Sequence, residues 1–109
     1  MNAGPQQISV QELESWRREG REIAIIDVRE AWEIEICSLA GALSIPLQTL
    51  PARVGEVPTD RPVVVFCHHG MRSLHAVTWL QRAGLDNAVN LAGGIDAWAR
   101  LIDPSMGVY

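Results

Sequence analysis

The spacing of hydrophobic and polar positions changes several times along the chain, and each change marks an element. Ser9 and Glu12 have capping-box spacing: the Ser side chain accepts from an early helical amide and the Glu reaches back. A helix is therefore expected from Val10. Leu13 and Trp16 give it one apolar stripe, and Gly20 follows the charged run RRE at its end. Ile23 to Asp27 (IAIID) is an apolar, β-branched run suited to a strand buried on both faces. Glu30 to Ile36 reads as a brief helix with Trp32 and Ile36 on one side. AGALSIP reads as a turn and short strand stopped by Pro46, and Pro51 to Val57 as another helical turn. The clearest strand is Val63 to Cys67 (VVVFC), introduced by TDRP and followed at once by the polar loop HHGM. From Arg72 the pattern is helical, with Ala76, Val77, Leu80 and Ala83 on one face and a Schellman-type stop at Gly84 and Leu85. NAVNL forms a last strand before Gly93-Gly94 and a short helix bearing Ile95, Trp98 and Ala99. The tail IDPSMGVY has no periodicity.

Strands alternating with helices at this spacing imply right-handed βαβ crossovers and a central, mostly parallel sheet covered on both faces, an α/β class. In such folds ligands sit at the carboxyl ends of the strands, which is where the pattern places Cys67. With 109 residues the chain is expected to form one domain over 1–109, its core at about 6–100 and its tail at 101–109. The 48% hydrophobic content suits a globular core, in which Trp16, Trp32, Trp79 and Trp98 are read as core residues without a site role. A net charge of −4, with no run of Lys or Arg, argues against nucleic-acid and anionic-membrane partners. The N-terminal stretch MNAGPQQISVQELES lacks a basic segment leading into an apolar run, and nothing approaches the roughly 18 apolar residues of a membrane span. A cytoplasmic protein is expected. Cys37 and Cys67, the only cysteines, are too few for a disulfide scaffold and fit reduced thiols.

The segment after Cys67 has the chemistry to activate a thiol. A cysteine is nucleophilic only as thiolate, and its ordinary pKa of about 8.5 falls beside a helix N-terminus or a cation. The helix beginning near Arg72 leaves its first amides without intrahelical partners and carries partial positive charge at that end. A tight loop closing toward Cys67 would aim further N–H groups inward as an anion-binding nest, and Gly70 permits the turn. Arg72 adds a cation and Ser73 a hydroxyl donor. Alone, Cys67 would read as a small buried residue ending a core strand. The directly following HHGMRS and helix favour the chemical reading.

Over nearly the whole chain these residues resemble the rhodanese-like domains. The resemblance is carried by DVREAWE (Asp27 to Glu33), AGALSIP (Ala40 to Pro46), VVVFCHHGMRS (Val63 to Ser73), the helix closed by AGL, and NLAGGIDAW (Asn90 to Trp98), all in the family's order. The tail looks like the ending of short bacterial single-domain members. What the resemblance implies is a five-stranded, mostly parallel sheet with helices on both faces and a loop that cradles sulfur. Cys67 would accept sulfane sulfur from a donor such as thiosulfate and pass it to a thiophilic acceptor, cyanide or a thiol, with no cofactor. The resemblance makes Cys67 the nucleophile, surrounds its persulfide with the backbone amides of His68, His69, Gly70, Met71, Arg72 and Ser73, and has Arg72 and Ser73 stabilise negative charge. Such a double displacement is nucleophilic catalysis through a covalent intermediate. Related phosphatases and arsenate reductases use a loop one residue longer; here Arg72 follows Cys67 by five positions, which suits a single sulfur atom.

Further residues carry weaker expectations. Asp27 and Arg29, at the end of the second strand, are expected to position the loop as a hydrogen-bonded pair or through contacts with loop amides, rather than to touch substrate. His68 and His69 either donate to an incoming anion or face solvent. A zinc site from Cys67, His68, His69 and His75 is not expected, since consecutive residues diverge and no second ligand pair completes a tetrahedron; His75 reads as a capping or surface residue. Cys37 stands where the family usually has Gly, and Ser38 where it usually has His. Cys37 is either packing or a resolving thiol for Cys67. Two alternatives to an enzyme acting on thiosulfate stay open: a persulfide carrier or sensor loaded by a sulfur-relay partner protein, and an oxyanion-handling enzyme such as a phosphatase.

Overall fold

The computed structural model describes residues 6–109; residues 1–5, part of the stretch read for targeting, lie outside the described residues. Five strands form one wholly parallel sheet: β1 (Gln7–Ile8), β2 (Ala24–Asp27), β3 (Leu43–Ser44), β4 (Val63–Phe66) and β5 (Ala88–Leu91), in the order β1-β5-β4-β2-β3. The helices are α1 (Val10–Arg18), α2 (Ala31–Ile36), α3 (Leu50–Arg53), α4 (Met71–Arg82) and α5 (Gly94–Leu101), with 3-10 turns at Leu47–Thr49 and Val54–Glu56 flanking α3. This is the α/β, five-stranded architecture expected from the sequence. No helix among the described residues is long and apolar enough to cross a membrane.

Central strand β4 shows why an apolar run without alternation suits a parallel sheet. Successive side chains point to opposite faces, so Val63 and Val65 join one core with Ile26, Val28, Ala76, Val77 and Leu80, under α3 and α4. Val64 and Phe66 join the other with Leu13, Leu91, Ile95 and Trp98, under α1 and α5. All four residues of the strand are fully buried. Cys67 follows immediately, on the α4 side, and Cys37 packs in the core on the opposite side of the sheet.

Local signals hold where local chemistry decides. The Glu12 amide donates to Ser9 Oγ at 3.1 Å, and the Ser9 amide donates to Glu12 Oε1 at 3.1 Å, which completes the capping box. The α4 stop is a Schellman motif, with the Leu85 amide donating to Leu80 O at 2.9 Å and the Gly84 amide to Gln81 O at 3.0 Å. Three side-chain expectations are corrected. Trp32 and Ile36 share a face of α2, but that face is exposed, because the buried position of this helix is taken by Glu33. Trp79 lies on the flank of α4, 38% exposed, while Ser73, Ala76, Val77 and Leu80 face the sheet. Ala83 is at the C-cap, where the chain has already turned outward.

Candidate active site

Cys67 is held where β4 ends and α4 begins. The chain reverses over His68 to Gly70, and Gly70, at φ +107°, is the N-cap residue of α4. A side chain at Gly70 would be strained in that backbone and would press on the Gly93 amide. The helix thus starts one residue earlier than expected, at Met71, and its first-turn amides face the sulfur. The Gly70 amide donates to Sγ at 3.1 Å, and the Ser73 amide and hydroxyl each lie 3.4 Å from it. The amides of His68, His69, Met71 and Arg72 donate to no carbonyl or side chain among the described residues, so they remain available to an anion at this end of the helix.

These donors outweigh desolvation. Burial pushes the Cys67 thiol up, but the Ser73 hydroxyl, the Ser73 and Gly70 amides and the charge of Arg72 pull it down, and the net shift is below an ordinary cysteine. The Ser73 hydroxyl has one proton and two acceptors within reach, Cys67 Sγ and Asn90 Oδ1, the latter at 2.5 Å. Asn90 is oriented unambiguously, because its Nδ2 donates to the Gly70 carbonyl at 3.1 Å. With Cys67 as thiol, the S–H can donate to Ser73 while Ser73 donates to Asn90. With Cys67 as thiolate, the hydroxyl is free to turn to sulfur.

The loop is pinned from its outer side by α5. The Ile95 amide donates to Cys67 O at 2.9 Å and the Asp96 amide to His68 O at 3.0 Å. Gly94 makes this approach possible: a Cβ there would stand 2.5 Å from both the Cys67 and the His68 carbonyl oxygens.

Arg72 does not act as a free cation. Its Nη1 and Nη2 donate to both oxygens of Glu33, at 2.8 and 2.7 Å. The Arg72 guanidinium, opposed by burial and aided by the Glu30 amide and the Tyr109 hydroxyl, lowers the Glu33 carboxyl to about 2. Asp27 and Arg29 form the expected pair, wholly buried: Arg29 Nε donates to Asp27 Oδ1 at 2.9 Å and Nη2 to Oδ2 at 2.7 Å. Arg29 Nη2 also donates to Cys37 O at 2.8 Å, and Nη1 lies 3.8 Å from Cys37 Sγ. Cys37 is thus packed against this guanidinium, across the sheet from Cys67.

His68 is half-buried and His69 exposed, with their rings 3.9 Å apart. Burial, then the neighbouring His69, lowers the His68 pKa, so this imidazole is neutral at pH 7. Met71 is exposed, and His75 lies on the exposed face of α4. Among the described residues one group of metal-ligating type comes together, His68, His69 and Asp96, within 4.8 Å of one another. The two imidazoles come from consecutive residues and are tilted at 31° to one another, and Asp96 Oδ2 already accepts from Arg100 Nε at 2.9 Å. We assign no metal to it.

Sequence reasoning missed Glu33, Asn90 and Tyr109. The only local signal for Glu33 is its spacing from Glu30, whose amide donates to it at 2.9 Å. Tyr109 lies in the aperiodic tail, yet its hydroxyl meets Glu33 and Arg29.

A buried thiol with a lowered pKa, held at the carboxyl end of a central parallel strand by the N-terminus of the next helix, defines an α/β protein with a thiol site at the edge of its sheet. More particularly, the chain belongs to the rhodanese-like domain family, whose model matches residues 9–101. It is 39% identical over 104 residues to the "Probable adenylyltransferase/sulfurtransferase MoeZ" of Mycobacterium tuberculosis. The match covers 94% of this chain and 26% of that protein, so the chain spans about a quarter of its length. A protein named "Sulfurtransferase" from Allochromatium vinosum is 39% identical over 79 residues, covering 72% of this chain and 74% of that one. Among solved structures, the human single-domain sulfurtransferase TSTD1 superposes with a TM-score of 0.77 at 29% identity, covering 90% of this chain and 98% of that one. Relatives named for sulfur transfer support that activity in general.

Proposed function

We propose that the protein is a sulfurtransferase that carries sulfane sulfur as a persulfide on Cys67. The Cys67 thiolate attacks the outer sulfur of a donor such as thiosulfate. The S–S bond of the donor breaks, sulfite leaves with the bonding electron pair, and Cys67 is left as Sγ–S⁻. A thiophilic acceptor, cyanide or a thiol, then attacks the outer sulfur, and the thiolate is regenerated. The observation that carries this reading is the set of donors converging on Sγ, with a loop only five residues from Cys67 to Arg72, sized for one sulfur atom. The unpaired amides of His68, His69, Met71 and Arg72 in the same loop suit the negative outer sulfur of the persulfide. Asp27 and Arg29 do not meet substrate and reach the site through Tyr109, whose hydroxyl accepts from Arg29 Nη1.

One observation favours a second reading, a relay module loaded by a partner protein rather than by thiosulfate. Arg72 is neutralised by Glu33 and His68 is held neutral, so the site mouth offers little net positive charge to a dianion. The relatives named as adenylyltransferase/sulfurtransferases point the same way. Steady-state thiocyanate formation from thiosulfate and cyanide tests the two readings. Turnover abolished by Cys67→Ser supports the enzyme. Sulfur loading from a cysteine desulfurase much faster than from thiosulfate supports the relay. If neither donor loads Cys67, both readings fall.

A further inference from the structure

Tyr109 sits at a junction that neither the loop nor the sheet accounts for. Its hydroxyl donates to Glu33 Oε1 at 2.8 Å and accepts from Arg29 Nη1 at 3.1 Å. The direction is fixed, because a guanidinium only donates and an ionised carboxylate only accepts. Burial, together with Glu33, pushes the phenol up to about 12 against the opposing pull of Arg29, so it keeps its proton throughout the working range. The hydroxyl therefore links two ion pairs, Asp27–Arg29 under the sheet end and Glu33–Arg72 beside the sulfur loop. The ring does separate work. It stacks on His68, the residue next to Cys67, with centroids 3.7 Å apart and planes at 9°, and it meets Trp32 edge-on at 5.9 Å. His68 in turn lies 3.9 Å from the His69 ring, tilted by 31°. The backbone leading to it crosses the end of α2 so closely that a Cβ on Gly107 would stand 2.9 Å from Ile36 O.

We propose that Tyr109 is a positioning residue for sulfur transfer: its hydroxyl fixes the Glu33–Arg72 pair that sets the charge at Cys67, and its ring holds His68 and with it the first turn of the sulfur loop. This rests on the sulfur-transfer reading above and adds a residue of the tail to that site. The physical chain is short. Arg72 lowers the Cys67 pKa through space, Glu33 holds both Arg72 Nη atoms, and Tyr109 supplies one of the donors that share the Glu33 charge. Without that donor, more of the Glu33 charge is felt at Arg72 and at the sulfur, and the thiolate is disfavoured. The other charged or titratable groups around the loop are His68 and His69 within it, Asp96 at the start of α5, and Asp27 with Arg29 at the end of β2. None of them is removed by a substitution at 109, and Tyr109→Phe keeps the ring against His68.

The test compares wild type with Tyr109→Phe, which keeps the ring and removes the hydroxyl, and Tyr109→Ala, which removes both. The readouts are the pH midpoint of Cys67 alkylation by iodoacetamide, kcat and KM for thiosulfate, and the NMR-titrated pKa of His68. Tyr109→Phe should raise the alkylation midpoint by several tenths of a pH unit and lower kcat/KM about threefold to tenfold, with the His68 titration unchanged. Tyr109→Ala should add a rise of the His68 pKa toward that of a free imidazole and a further loss in kcat/KM. Unchanged alkylation midpoints and kinetics in both folded variants, with only the melting temperature lowered, would assign Tyr109 to stability alone and overturn the proposal. Failure of the wild type to take up sulfur would instead remove the sulfur-transfer reading, and the alkylation midpoint would still judge Tyr109.

Discussion

At Cys67 the balance is between burial, which favours the thiol, and three donors with one nearby cation, which favour the thiolate. The donors win because two are backbone amides fixed by the loop, which need no reorganisation when charge appears. The pH midpoint for alkylation should therefore lie below that of an ordinary cysteine. Ser73→Ala should raise it by about one to two units, the worth of a hydrogen bond to a charged group. An unchanged midpoint would mean that the hydroxyl stays with Asn90 in both charge states. Glu33, an acid whose pKa is also lowered, makes a prediction about stability. Its folded pKa of about 2 lies below the unfolded 4.5, so its stabilisation is complete above 4.5 and is lost as pH falls toward 2. Glu33→Gln should cost about 2 to 3 kcal/mol at pH 7, a figure discounted for the partial exposure of Arg72, and the gap from wild type should close between pH 5 and 2. Urea unfolding across that range measures it.

At the scale of elements, the sulfur loop is a product of three of them: β4 delivers the cysteine, α4 supplies amides from inside, and α5 holds the carbonyls from outside. Gly94→Ala tests the last contact. Its Cβ would fall on the Cys67 and His68 carbonyl oxygens at a φ of +63°, so the variant should lose at least about 2 kcal/mol of stability and alkylate Cys67 more slowly at every pH. Wild-type alkylation in a folded Gly94→Ala protein would show that α5 does not fix the loop. Legibility in the sequence follows the same division. The β4–loop–α4 unit is contiguous, so its apolar run, its turn glycine and its helix periodicity all read directly. Strand β1 is two residues long and has no period to detect. Trp32 and Glu33 exchange roles because the Glu33 partners, Arg72 and Tyr109, lie 39 and 76 positions away, and no local pattern shows that a buried charge will be matched.

Across the whole molecule, both faces of one parallel sheet are covered, and the chemistry gathers at the carboxyl ends of its strands, as it does in open α/β folds generally. The chain of charges from Asp27 through Arg29, Glu33 and Arg72 runs beside this edge, and the tail closes over it through Tyr109. Position in the fold was thus legible before the structure, whereas the charge arrangement that tunes the site required it. The relay and enzyme readings share one chemical claim, that Cys67 holds sulfur covalently. Intact mass spectrometry after incubation with thiosulfate, or with a desulfurase and cysteine where thiosulfate does not load, tests it most directly. A gain of one sulfur atom is expected on the wild type, removed by cyanide as thiocyanate and absent from Cys67→Ser; a wild-type protein that gains no sulfur from either donor, or a Cys67→Ser protein that gains it equally, would contradict that claim.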